Sequence, residues 1–141
     1  YTAARIINHQ QGFLIIKTAS LEFNWNLDLS NIARIWTNGC IIRSRLMEKM
    51  IPAFHDHYEL FEFPEFKEAI IRLKPELKSF CISALEFDLS IACYTASLDY
   101  LNSLSATYAT ANIIQAQRDF FGAHTYQKKN DTSGAFYHTE W

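Results

Sequence analysis

Arg118 and His124 are the two side chains of this sequence whose types and spacing best suit the binding of an anion. Arg118 is expected in the last turn of a helix, and His124 follows Gly122, where the chain should leave that helix. Both side chains can then converge on one ligand. A guanidinium offers a planar fork that matches phosphate oxygens, and phosphate favours the protonated imidazole as a further donor. The pair therefore indicates a phosphate site.

The position of this pair also supports a purely structural interpretation. The C-terminal end of a helix carries the negative end of its dipole, so an anion would have to bind from beside the helix, through the two side chains. An arginine in a last helical turn more often caps backbone carbonyls than binds a ligand. His124 alone is as well explained as an ordinary surface residue. The two residues by themselves leave the choice open.

Two other clusters are weaker candidates. The sequence His55-Asp56-His57, with Glu59, contains metal-binding residue types but no third ligand at a defined spacing, so solvated loop residues explain it better. A group of basic residues is interrupted by Glu48 and is typical of a solvated helix face. Its members are Arg34, Arg43, Arg45 and Lys49. Neither cluster predicts a site.

Composition limits the class of protein. The 141 residues are 49% apolar and 20% charged, which fits one globular domain, and no apolar run approaches the roughly 20 residues that span a bilayer. A net charge of −2 lacks the positive excess used to bind nucleic acid. The three cysteines form no C-x-x-C pair, which favours reduced thiols and a cytoplasmic location.

The elements that must position the candidate site are all helices. Apolar residues recur at three- and four-residue steps from Thr2 to Glu22, and no alternating strand pattern of any length occurs, so the sequence predicts an all-α fold. Pro52 should end the third helix, Pro75 should separate the fourth from the fifth, and Gly122 should take the left-handed conformation that ends the last helix. The predicted helices span about residues 2–22, 31–37, 41–51, 65–74, 76–87, 91–101 and 110–121, with a loop or broken helix at 53–63.

Several segments together resemble one enzyme family. Residues 118–126 and the preceding 112–117 carry the densest likeness, and residues 11–13, 39–44 and 136–141 extend it over the whole chain. These segments are similar to the C-terminal part of the helical domain of 6-phosphogluconate dehydrogenase. The resemblance implies an all-α, multi-helix domain at residues 1–126, formed by the second repeat of the family's helical domain. An extended C-terminal tail should follow at residues 127–141.

The resemblance also implies a function. The family oxidatively decarboxylates 6-phosphogluconate to ribulose 5-phosphate with NADP, in the pentose phosphate pathway of the cytoplasm. An arginine and a histidine of its signature bind the substrate phosphate in the neighbouring subunit of a homodimer, and Arg118 and His124 match them. The family's tail threads through the other subunit, which would explain the aromatic stretch that ends at Trp141.

Other parts of that enzyme are not expected in this chain. Its four glycines form no G-x-G-x-x-G sequence, so we expect no cofactor to be bound by this chain. The family's catalytic lysine and glutamate lie in an earlier segment, and we assign no catalytic residue. The beginning at Tyr1, without an initiator methionine, suggests a chain that starts inside a longer protein.

Two alternatives to a part of the enzyme remain open. In the first alternative, the chain is an inert self-association module. Without the first repeat, one side of the helix that carries Ile6, Phe13 and Leu14 should be exposed, and such an apolar surface tends to be covered by a second copy. In the second, the chain is a stand-alone sugar-phosphate binder if Arg118 and His124 suffice for affinity. Two ligands would bind a phosphate only weakly once the cost of immobilising the ligand is subtracted.

Overall fold

The structure, a computed structural model, describes residues 1–56 and 59–141, and within them the chain is helical. The described residues form six α-helices: α1 (Thr2–Glu22), α2 (Leu29–Trp36), α3 (Arg45–Asp56), α4 (Pro64–Glu86), α5 (Ala92–Ser105) and α6 (Ala111–Gly122). A 3₁₀ turn at Leu60–Glu62 precedes α4. Strand-like pairing among the described residues is confined to one antiparallel bridge, between Tyr126 and Tyr137. The predicted all-α class is confirmed.

The chain divides into two compact units, Tyr1–Leu101 and Asn102–Trp141. The first contains α1 to α4 and most of α5, and the second contains α6 with everything that follows it. The predicted division into a helical fragment at 1–126 and an extended tail at 127–141 stays a prediction.

Helix α1 forms the centre of the first unit. It begins and ends where its apolar period predicted, and Ile6, Ile7 and Phe13 are buried on it. The ring of Phe13 packs against Trp36 of α2 and Phe54 of α3, with ring centroids 5.2 and 4.2 Å apart. One aromatic side chain thus joins three helices.

A buried amide fastens α1 to the 3₁₀ turn. Gln10 is 1% exposed, and its Oε1 accepts a hydrogen bond of 2.7 Å from the backbone N–H of Leu60. Its Nε2 donates to Glu59 at 3.3 Å. Because both polar ends of the amide are paired, this polar side chain is accommodated in the core.

The third helix differs from the prediction at both ends. It begins at Arg45 rather than near Ile41, because the hydroxyl of Ser44 accepts a hydrogen bond of 3.2 Å from the N–H of Met47 and so caps the helix there. Ile41 lies fully exposed and gains nothing from helical packing. Pro52 does not end the helix, which continues to Asp56 with Phe54 buried after the proline.

The predicted break at Pro75 is also wrong. Helix α4 runs through it without interruption, so the two helices expected at 65–74 and 76–87 are one. An internal proline removes one backbone hydrogen bond and crowds the preceding turn. The buried residues before and after Pro75 fall on one helical face, and burying that whole face offsets the local cost. They are Phe66, Ile70, Leu77, Cys81 and Ala84.

Helix α2 begins at Leu29, two residues before the predicted start. Asp28 is its N-cap, and the Oδ1 of Asp28 accepts from the N–H groups of Ser30 and Asn31 at 2.8 and 3.2 Å. These bonds satisfy donors that a helix start leaves unpaired.

Candidate functional site at the end of helix α6

Helix α6 carries Arg118 and ends at Gly122, one residue later than predicted. The left-handed residue that terminates it is Ala123, with φ of 50°, rather than Gly122. Gly122 has a different use, because a Cβ there would lie 3.3 Å from Nε2 of His124. The imidazole therefore lies over Gly122, where a side chain would crowd it.

Arg118 and His124 are both exposed to solvent within the second unit. Nη1 of Arg118 donates a long hydrogen bond of 3.5 Å to Oε1 of Gln115, a side-chain acceptor one turn earlier, so this contact is not the carbonyl cap of the alternative interpretation. The exposure of both side chains suits a ligand that approaches from outside the unit. Their role as phosphate ligands stays a prediction.

The loop that carries His124 is strained and held on both sides. Ala123 and Thr125, which flank His124, have φ of 50° and 57°, a region that residues with a side chain rarely adopt. The N–H of Ala123 donates to the backbone carbonyl of Asp119 at 2.9 Å, and the N–H of Thr125 donates to Asp119 Oδ1 at 2.9 Å. The carbonyl of Thr125 accepts from Nε2 of Gln115 at 2.5 Å.

Asp119 is the residue on which this arrangement centres. Its side chain is fully buried and accepts four hydrogen bonds between 2.9 and 3.1 Å. The donor to Oδ1 besides Thr125 is Nδ1 of His138; the donors to Oδ2 are the N–H of Thr139 and the indole Nε1 of Trp141. One carboxylate thus joins α6, the loop after it and the last residues of the chain.

The ionisation of Asp119 follows from these contacts. Burial by itself would raise the pKa of the carboxyl, but the four hydrogen bonds, from the backbone of Thr139, from His138, from Trp141 and from the backbone of Thr125, outweigh it. The pKa of Asp119 falls from 3.8 to about 2. The Asp119 side chain is therefore ionised in the folded protein at neutral pH.

Sequence reasoning missed Asp119, although one signal was present. A carboxylate in the last turn of a helix faces the negative end of the helix dipole and is unfavourable there unless other donors compensate. An acid at that position, between Arg118 and two phenylalanines, was therefore a sign of buried partners.

The tail after the site folds back on itself. Tyr126 and Tyr137 exchange backbone hydrogen bonds of 2.9 and 2.8 Å. Asp131 holds the turn between them by accepting from the N–H of Ser133 at 2.9 Å and from the hydroxyl of Tyr137. The hydroxyls of Tyr126 and Thr139 lie 2.7 Å apart and are hydrogen bonded.

The weaker candidates gain no support from the described residues. The side chain of Asp56 and the whole of His57, both in the possible metal motif, lie outside the described part of the chain. The described side chains hold no cluster of three or more metal-ligating residues. Cys40, Cys81 and Cys93 are free thiols, of which Cys81 is buried and Cys93 exposed. None of the described helices is long and apolar enough to span a bilayer.

The sequence model of the 6-phosphogluconate dehydrogenase C-terminal domain matches residues 1–141, the whole chain. The chain belongs to this family. The 6-phosphogluconate dehydrogenases (decarboxylating) of Synechocystis sp. and Escherichia coli are 38% and 36% identical to it, over 98% and 97% of its length. The decarboxylating 6-phosphogluconate dehydrogenase 2 of Arabidopsis thaliana is 38% identical over 99%.

A solved structure of the family has the same fold. Plasmodium falciparum 6-phosphogluconate dehydrogenase matches 99% of this chain with a TM-score of 0.88 and 35% identity, and its structures include complexes with its cofactor NADP⁺ and its substrate 6-phosphogluconate. The chain covers 30% of that protein and 29% of the Synechocystis and Arabidopsis relatives. The chain therefore corresponds to the C-terminal domain of this family and spans less than a third of the relatives' length.

Proposed function

We propose that the complete protein oxidatively decarboxylates 6-phosphogluconate to ribulose 5-phosphate with reduction of NADP, as a cytoplasmic homodimer. This chain supplies contacts between the subunits and the phosphate ligands Arg118 and His124, which act in the active site of the neighbouring subunit. It binds no nucleotide and contains no catalytic residue. Free thiols at all three cysteines are in keeping with a reducing compartment.

The observation that carries the proposal is the exposure of both ligands at one helix end. Arg118 and His124 are exposed in the second unit, and the backbone around His124 is fixed by hydrogen bonds to Asp119 and Gln115. A flexible loop would lose conformational entropy on binding phosphate, whereas this loop is already ordered. Site and family membership therefore point to the same role.

Exposed apolar side chains support the homodimer. In the second unit Ile113, Phe121 and Phe136 are 70% or more exposed, and apolar surface of this kind is typical of an interface. The rival interpretation, an inert self-association module, predicted a bared side of α1. Helix α1 does expose Ile15 and Leu21, while Ile6 and Phe13 are buried.

Subunit complementation tests the action in trans. One variant of the complete enzyme carries Arg118→Ala, and the other replaces the catalytic lysine of the preceding segment. In a mixed dimer, one active site combines an intact lysine from the first subunit with Arg118 from the second. We expect each variant alone to be nearly inactive and the refolded mixture to recover turnover. No recovery would contradict binding in trans, because ligands acting within one subunit leave every site defective.

Sedimentation of the isolated chain at several concentrations tests self-association. We expect dimers that dissociate on dilution. A well-folded chain that stays monomeric at every concentration would contradict both the dimer contacts and the self-association module.

A further inference from the structure

We propose that Asp119 is a positioning residue for the phosphate site, which fixes His124 and Arg118 in the orientation that binds substrate. This inference rests on the proposed function of those two residues. Asp119 itself faces inward, with its side chain fully buried, and is not expected to touch the ligand.

The first step of the argument is the strain on either side of His124. Ala123 and Thr125 both have positive φ, and such backbone persists only where the surroundings hold it. Asp119 supplies two of the holds, its backbone carbonyl to the N–H of Ala123 and its Oδ1 to the N–H of Thr125. The direction in which His124 leaves the backbone therefore depends on this one residue.

The second step links the same carboxylate to Arg118. The carbonyl of Thr125 accepts from Nε2 of Gln115, and Oε1 of Gln115 accepts from Arg118. A displacement of Thr125 would move Gln115 and with it the acceptor of the guanidinium. Both proposed ligands are thus connected to Asp119 through Thr125.

The third step concerns the acceptor capacity of the Asp119 carboxylate. Each carboxylate oxygen accepts from two donors, so an asparagine in either orientation would place an amide N–H against two N–H donors. The substitution Asp119→Asn keeps size and shape and removes half of the acceptors. It is therefore a sharp probe of the hydrogen bonds.

Asp131 provides a matched control. It is a second carboxylate of the same unit, it also accepts from a backbone N–H and a side chain, and its pKa is likewise lowered to about 2, mainly by Ser133 and Tyr137. Its partners belong to the turn of the tail and not to residues 118–125. Asp131→Asn thus removes contacts within the turn of the tail and removes none of the hydrogen bonds of Asp119.

The experiment compares two substrates in the complete enzyme, 6-phosphogluconate and gluconate, which lacks the phosphate. We expect Asp119→Asn to raise KM for 6-phosphogluconate about tenfold to a hundredfold, as misplaced binding groups do. Turnover of gluconate, measured as kcat/KM, should stay within about twofold of the unchanged enzyme. Asp131→Asn should change neither. In an Arg118→Ala/His124→Ala background, Asp119→Asn should have no further effect on KM.

The other outcomes distinguish failure of the positioning role from failure of the proposed function. If Arg118→Ala raises KM for 6-phosphogluconate and Asp119→Asn does not, the proposed function stands and the positioning role is wrong. If Arg118→Ala and His124→Ala leave KM unchanged, the proposed function fails and the inference fails with it. If Asp119→Asn impairs gluconate as much as 6-phosphogluconate, Asp119→Glu decides, since it keeps the charge and shifts the oxygens. A specific rise in KM then supports positioning, and equal loss with both substrates overturns it.

Discussion

The indole N–H of Trp141 donates a hydrogen bond of 3.1 Å to the carboxylate of Asp119, so the last residue of the chain is fastened to helix α6. The same carboxylate holds the loop of His124 through Thr125. Tail and proposed phosphate site therefore share one anchor. The residues from His138 to Trp141 therefore help to hold the proposed site.

Replacing Trp141 by phenylalanine should loosen the tail. Phenylalanine can retain the edge-to-face contact with Phe120, whose ring centroid lies 5.9 Å from that of Trp141, but cannot donate to Asp119. We expect faster hydrogen exchange at the amide of Thr139, which shares Oδ2 of Asp119. The matched control is Trp25→Phe in the first unit, where the indole stacks on Phe23. Equal exchange of Thr139 in Trp141→Phe and the unchanged chain would contradict the prediction.

Acid should destabilise the fold of the second unit over a defined pH range. The pKa of Asp119 is about 2 in the folded chain against 3.8 in its ordinary state, so folding is favoured by ionisation of this group. Its contribution is complete above about pH 4 and is lost as the pH falls from about 4 to about 2. Fluorine NMR of fluorotryptophan-labelled chain, with the Trp141 signal assigned by Trp141→Phe, should show the change over that range.

The pH experiment has its own control. Asp131 has a similarly lowered pKa of about 2, caused first by its hydrogen bonds with Ser133 and Tyr137. In Asp119→Asn, the Trp141 signal should therefore no longer change between about pH 4 and about pH 2. The acid transition caused by protonation of Asp131 should remain. A Trp141 signal with the same pH profile in Asp119→Asn would show that another group governs it.

A methyl group at Gly122 should disturb the imidazole of His124. The new Cβ would lie 3.3 Å from Nε2, closer than usual for such a contact, so the ring must move. We expect Gly122→Ala in the complete enzyme to raise KM for 6-phosphogluconate roughly fivefold, equivalent to about 1 kcal/mol. The control Gly12→Ala adds the same methyl to α1, where nothing lies within 4 Å, and should leave KM unchanged.

Truncation of Phe13 should destabilise the first unit strongly. Its ring is 2% exposed and joins α1 to Trp36 and Phe54, so Phe13→Ala should lower the free energy of unfolding by about 3–5 kcal/mol. Ile15 lies on the same helix but is 70% exposed, and Ile15→Ala should change stability by less than about 0.5 kcal/mol. Urea denaturation of the two variants measures the difference. Similar midpoints would show that Phe13 is not central to the core.

The sequence predicted a helix correctly where a single local pattern determined its bounds. Helix α1 has the predicted bounds because its apolar period is unbroken, and Asp28 caps α2 as its side chain suggests. The helix ends predicted at Pro52 and Pro75 were wrong, because each proline lies inside a helix whose buried face continues before and after it. Burial in the folded core outweighed the local preference of the proline.

The candidate site was predictable only in part, for a related reason. Arg118 and His124 stood out by residue type and by resemblance. Asp119 did not, because its side-chain partners lie between 6 and 22 residues further along the chain. Hydrogen bonds at that separation depend on how the tail folds back, which no local pattern predicts.

The four donors gathered by Asp119 also make the tail a point of chemical vulnerability for the whole second unit. Proteolytic removal of the chain from His138 onward would take away three of those donors and leave a buried anion with the N–H of Thr125 as its remaining donor. Such trimming spares every residue that we expect to contact substrate. It would nevertheless impair phosphate binding, because water would enter the space that the tail fills.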